Sequence, residues 1–294
     1  MADELRIGER PSLERPVLIT AFRGWNDGGQ GASLAGAYLA RRWEAEQFGE
    51  IDPEAFFDFQ ATRPMVSLTE GASRKLEWPE NLFFRARIPE ADRDAVLLLG
   101  VEPNLRWRTF SRLVVDLAAD LGVELVVTLG ALLADVPHTR AAPVTGSASD
   151  PDLVERLGLQ VSRYEGPTGI VGVLHDAFRI AGVPSVSLWA AVPHYVSLAP
   201  SPKAALALCE RLGGVLGAPI DTAELTEAAE SYQRQVTEAV STDDETAAYV
   251  EELEQRADEL DEESLPSGES LAAELTRFLR ERESGNGGDA ARGQ

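Results

Sequence analysis

Four stretches of the 294-residue sequence put polar, aromatic and titratable side chains directly after an apolar run. Arg23, Trp25, Asn26, Asp27, Gly28 and Gly29 follow Val17–Phe22. Glu102, Asn104 and Arg106 follow the run at 95–99. Asp135, His138, Thr139 and Arg140 follow the run at 125–129, and His194 and Tyr195 follow 185–190. Each group suggests a chemistry. Backbone amides exposed in the glycine loop, where a helix begins, can hold an anion, and Arg23 would add charge. His138 and Arg140 could bind a phosphate or polarise a carbonyl. His194 could act as a general base. Glu102, close to Arg106, is either an acid or half of a local ion pair.

None of these groups completes a catalytic motif. Walker A needs a lysine after its second glycine, and here Gly29-Gln30-Gly31 is followed by Ala32. A dinucleotide fingerprint needs a glycine where Leu34 stands. His-x-x-x-His, Gly-x-Ser-x-Gly and a cysteine pair are absent from the sequence. Structural roles therefore rank first. The glycines permit a turn and close helix–sheet packing. Glu102 pairs with Arg106, and His138 to Arg140 cap and pin their loop. His175 packs, and Trp25, Trp107 and Trp189 serve as core or interface anchors. No catalytic residue, metal ligand or cofactor is assigned.

Positioning these loops requires strands that end together. Strands are expected at Val17–Phe22, 55–59, 95–99, 125–129 and 185–190, with β-meander over 63–88. Helices are expected at 31–43, 109–121, 151–157, 170–181 and 202–216. The runs at 95–99 and 125–129 are continuously apolar, as strands covered on both faces should be. Helices between strands imply a three-layer α/β fold with a mostly parallel, mixed sheet. In such a sheet, ligands sit beyond the carboxyl ends of the strands, where all four loops would lie.

The main α/β domain is placed at 8–220. An acidic helical extension at 221–282 carries Leu225, Ala229, Tyr232 and Val236 at helical spacing, then Ala247, Val250 and Leu253. A short helix is expected around Leu271–Leu279, and a disordered tail at 283–294. The net charge of −22 argues against nucleic acid or an anionic membrane as a partner. Cys209 is the only cysteine, so no internal disulfide forms, and it reads as a buried thiol. No signal peptide and no membrane-length apolar segment is visible, which places the chain in the cytoplasm.

Together, "GWNDGGQGAS" (24–33), "RPMVSLTEGASRKLEWP" (63–79), "GVEPNLRWRTF" (100–110) and "ADVPHTRAAPVTGSAS" (134–149) resemble the bacterial branch of the proteasome assembly chaperone two family, over about Val17 to Leu216. The resemblance implies an α/β domain similar to nucleoside phosphorylases, without an established catalytic activity. It also implies a homo-oligomer, trimeric or larger, and proteasome α-type subunits as clients. The hydrophobic–tyrosine–any-residue tail of some members has no counterpart in Ala291-Arg-Gly-Gln294, so binding would use the folded domain or the helical extension. A non-catalytic assembly factor is thus favoured. The alternatives are a small-molecule enzyme of phosphorylase or hydrolase type with an anion-binding glycine loop, and a purely structural oligomer.

Overall fold

Every residue of Val17–Phe22 is buried, and its side chains alternate between two apolar layers. In a computed structural model that describes residues 4–69, 73–159 and 165–264, this run is the strand β2 (Val17–Arg23). Val17, Ile19 and Ala21 pack under α1 (Gly31–Arg42) and α5 (Pro202–Leu216). Leu18 and Phe22 pack against α2 (Trp107–Asp120) and α4 (Ile170–Ile180) on the other face. Burial on both faces explains why the run carries no polar alternation.

The main sheet has eight strands. Besides β2 they are β1 (Leu5–Ile7), β3 (Glu46–Ile51), β6 (Asn81–Arg87), β7 (Asp94–Val101), β8 (Leu125–Ala134), β9 (Val144–Ala148) and β10 (Ser185–Pro193), in the order β1-β3-β6-β7-β2-β8-β10-β9. The central four, β7-β2-β8-β10, are parallel, and β1, β6 and β9 each run antiparallel to their neighbours. The fold is three-layer α/β with a mixed sheet, as the sequence pattern implies. Among the described residues, two further strands, β4 (Met65–Thr69) and β5 (Ser73–Glu77), pair only with each other. The meander expected over 63–88 is therefore split, because only β6 enters the main sheet.

Two other readings need correction, and one strand lies where the sequence pattern shows none. The segment at 55–59 is not a strand. Pro53–Ala55 forms a single 3-10 turn capped by Asp52, and Phe56 and Phe57 then enter the core, with the Phe56 ring 5.5 Å from that of Phe110. The neighbouring strand is β3, whose alternation is broken by a bulge between Gln47 and Gly49. β9 lies within 134–149, where the sequence suggests a loop. It is a polar edge strand without an apolar run.

After α3 (Pro151–Leu157) and α5, two helices close the described chain: α6 (Ala223–Val240) and α7 (Asp244–Ser264). α6 is anchored by Leu225, Ala229, Tyr232 and Val236. The Tyr38 hydroxyl donates to the Asp221 carbonyl at its entry. Cys209 is fully buried, and burial pushes its thiol up to about 12, so it stays protonated. The helix expected around Leu271–Leu279, the tail at 283–294 and the tip of the 69–73 turn lie outside the described residues. Among the described residues no helix is long and apolar enough to cross a membrane.

Candidate functional site

Because β7, β2, β8 and β10 are parallel, the loops after them leave the sheet at one edge. There the sequence-marked residues form two groups. The first joins the loop after β2 to the loop after β7. Asn26 and Asp27 are buried; the Asn26 carbonyl accepts from the Ala131 amide at 2.9 Å, which ties the loop to β8. Asp27 Oδ1 accepts the N–H groups of Ala32 (2.9 Å) and Ser33 (3.1 Å), capping the first turn of α1. Burial pushes the Asp27 carboxyl above its usual range, opposed by hydrogen bonds from Ser33 and Ala32 and by the charge of Arg23.

Glu102 is not paired with Arg106. Its Oε2 accepts from the Trp25 N–H (3.1 Å), and its Oε1 accepts from Asn26 Nδ2 (2.8 Å) and from the Ile170 N–H (2.8 Å). Glu102 therefore closes the N-terminus of α4 and fixes the glycine loop at once. Gly24 has φ +141°, and a Cβ there would stand 2.8 Å from Glu102 Cβ, so a side chain is excluded. Arg106 instead bonds Glu4 (2.9 Å), its guanidinium 5.5 Å from the Phe56 ring centre. The Trp25, Ala32, Ser33 and Ile170 amides are thus taken by carboxylates of the chain itself.

The second group joins the loops after β8 and β10 to the C-terminal helices. The His138 N–H donates to the Tyr195 hydroxyl (2.8 Å), Nδ1 meets the same hydroxyl at 2.9 Å, and Nε2 meets Thr237 Oγ1 at 3.0 Å. With both ring nitrogens engaged, burial and the Lys203 charge lower its pKa, which keeps it neutral. Lys203 Nζ donates to the carbonyls of His138 and Arg140 and to Gln233 Oε1. Burial brings its pKa down to about 8. Thr139 donates to Glu254, and Arg140 forks onto Asp258 at 2.8 and 2.9 Å. His194 Nδ1 lies 3.1 Å from Asp135, its ring edge-on to Tyr195 and Tyr249.

Beside the first group opens a cleft of about 1330 Å³, whose lining includes Trp25, Asp27, Leu133, His175, Ser187 and Trp189. Trp25 is 67% exposed, so it anchors no part of the core. Trp189 Nε1 donates to Ser187 Oγ, which also accepts from Thr128. A Cβ on Gly28 would stand 3.0 Å from the Leu132 backbone, and one on Gly29, whose φ is +56°, 2.9 Å from Val192 Cγ1. Sequence reasoning missed Lys203, Ser187, Leu132 and Leu133. The last two belong to β8, which continues beyond the apolar run at 125–129. Among the described residues, no three His, Cys, Asp or Glu side chains come together as metal ligands.

The PAC2 family model matches residues 21–240. The chain belongs to the PAC2 family. A PAC2 family protein of Streptomyces avermitilis is 51% identical, with TM-score 0.74, over 80% of this chain and 99% of its own length. The proteasome-assembly chaperone homologue of Mycobacterium tuberculosis is 48% identical, with TM-score 0.73 and the same coverage. A second Mycobacterium tuberculosis protein, at 27% identity and TM-score 0.80, matches 89% of this chain and 93% of its own. Among curated proteins nothing matches. The strand-end edge described above thus sits on a PAC2 fold.

Proposed function

We propose that this PAC2 protein is a non-catalytic assembly factor that binds proteasome α-type subunits or a related client, as a cytoplasmic homo-oligomer of three or more copies. The supporting observation is the chemistry of the strand-end edge. There Asp27 and Glu102 accept the Trp25, Ala32, Ser33 and Ile170 amides, and exposed apolar side chains stand beside them. Trp25, Leu132 and Leu133 are exposed there. The β4–β5 hairpin rises at the same edge, since β6 starts at Asn81 opposite Gly100, near the end of β7. Val66 and Leu76 are register partners on one face of that hairpin, Leu68 continues the face, and Leu68 is 75% exposed. Exposed apolar side chains grouped in this way support a protein contact, and a two-stranded hairpin is marginal without one.

The naming of the 48%-identical Mycobacterium tuberculosis protein as a proteasome-assembly chaperone homologue points to the same client class. Co-purification from the host with α-type subunits tests the proposal. A recovered complex is the expected result. No complex, together with normal proteasome maturation in a deletion strain, contradicts it. The open cleft motivates a second reading, a small-molecule enzyme of nucleoside phosphorylase or hydrolase type. Phosphate-dependent cleavage of a nucleoside by the purified chain would favour it over the first.

A further inference from the structure

α7 lies on the part of the edge built by Thr139, Arg140, His194 and Tyr195. It presents Tyr249, Val250, Leu253, Glu254 and Asp258, spaced i, i+1, i+4, i+5 and i+9 along one helical face. Val250 and Leu253 are buried, and the Tyr249 ring centre is 5.6 Å from that of His194 and 6.1 Å from that of Tyr195. Glu254 receives the Thr139 hydroxyl, and Asp258 receives the Arg140 fork. This is a helix seated in a groove.

Two observations separate the groove from the helix that fills it. First, the groove is held together without α7. Lys203 of α5 grips the carbonyls of His138 and Arg140, Gln233 and Thr237 of α6 support Lys203 and His138, and Tyr195 ties the His138 backbone. Second, the family model's match ends at 240, before α7, and 80% of this chain spans 99% of the relatives at 51% and 48% identity, whereas the 27%-identical Mycobacterium tuberculosis protein matches 89% of this chain and so extends past 240. α7 is also strongly acidic: Asp and Glu hold 10 of its 21 positions, and Arg256 is its one base.

We propose that the groove is a docking site for an acidic amphipathic helix of a protein partner, and that α7 occupies it as an intramolecular stand-in that such a partner displaces. This rests on reading the edge as a protein-binding surface and assigns α7 control of access to half of it. Recognition combines the Arg140 fork on a carboxylate with apolar side chains entering beside the Tyr195 and His194 rings.

The test uses a fluorescein-labelled peptide of residues 244–264 and the full-length chain. The variant V250D/L253D loosens the chain's own α7 while leaving the groove residues unchanged. Fluorescence anisotropy should show the peptide binding this variant about ten-fold or more tighter than wild type, and adding R140E should abolish binding. No binding to a V250D/L253D chain with native circular dichroism, or binding that survives R140E, overturns the proposal. Should the double variant not fold, hydrogen exchange on wild type decides. α7 amides should exchange about ten-fold or more faster than those of α5, and equal protection of the two helices overturns the proposal. Peptide binding without proteasome binding would spare the groove and remove the client. Client binding without peptide binding would do the reverse.

Discussion

Glu102 Oε1 accepts the Ile170 backbone N–H at 2.8 Å, joining residues 68 positions apart and closing the N-terminus of α4 with a carboxylate of the chain itself. The same carboxyl group holds Trp25 and Asn26 of the glycine loop. Asp27 does the same for α1, so carboxylates of the chain itself occupy the first turns of two helices at this edge.

Removing this bridge should therefore destabilise the whole chain. Glu102→Ala leaves three donors without their acceptor, and each hydrogen bond to a charged group contributes about 1.5–3 kcal/mol. A loss of about 2–4 kcal/mol is expected after allowing for water entry at this part-buried site. Urea denaturation measures it. A change under about 0.5 kcal/mol would show that the bridge is incidental.

The glycine loop is a packing device in the same structure. A Cβ on Gly31 would stand 2.6 Å from Ala204 Cβ, where α1 crosses α5. Gly31→Ala should cost about 1–3 kcal/mol through overpacking, although alanine is the better helix former. Thermal unfolding of the variant above the wild-type midpoint would refute this.

Lys203 gives a pH signature. Its folded pKa, about 8, lies below the ordinary 10.5. Between those values the unfolded chain binds more protons, so stability rises with pH across that window. Relative to Lys203→Met, the wild type should gain about 1–3 kcal/mol from pH 8 to 10.5. Comparing the two chains removes the opposite contributions of Tyr195 and Cys209, whose pKa values are both raised to about 12. Parallel pH curves for the two chains would contradict the assignment.

The outward apolar residues should behave differently from all of these. Trp25→Ser and Leu68→Asp lie on exposed positions, so each should alter stability by no more than about 0.5 kcal/mol. Denaturation midpoints close to wild type are expected, and a large loss would mean that these side chains are needed for the fold.

The central layers could be read from the sequence because physics leaves few options there. A strand under helices on both faces must be apolar throughout, which exposes β2, β7, β8 and β10, and Gly158 and Gly217 mark helix ends through their left-handed φ. The peripheral strands were hidden because the bulge in β3 and the polar composition of β9 erase the two-residue period. At the edge, residue types mark loops that do leave the sheet together, but not their partners. Arg106 stands four residues from Glu102, yet the carboxylate bonds Ile170 instead. Thr139 finds Glu254, 115 residues later. Local spacing carries no information about such long-range pairs.

Affinity for proteasome α-type subunits, measured by biolayer interferometry on wild type and on L68D/L133D, tests the central claim most directly. The apolar strand-end edge should bind in the wild type and lose about ten-fold or more in the folded double variant. Equal affinity in the two chains, or no binding by the wild type, would contradict it.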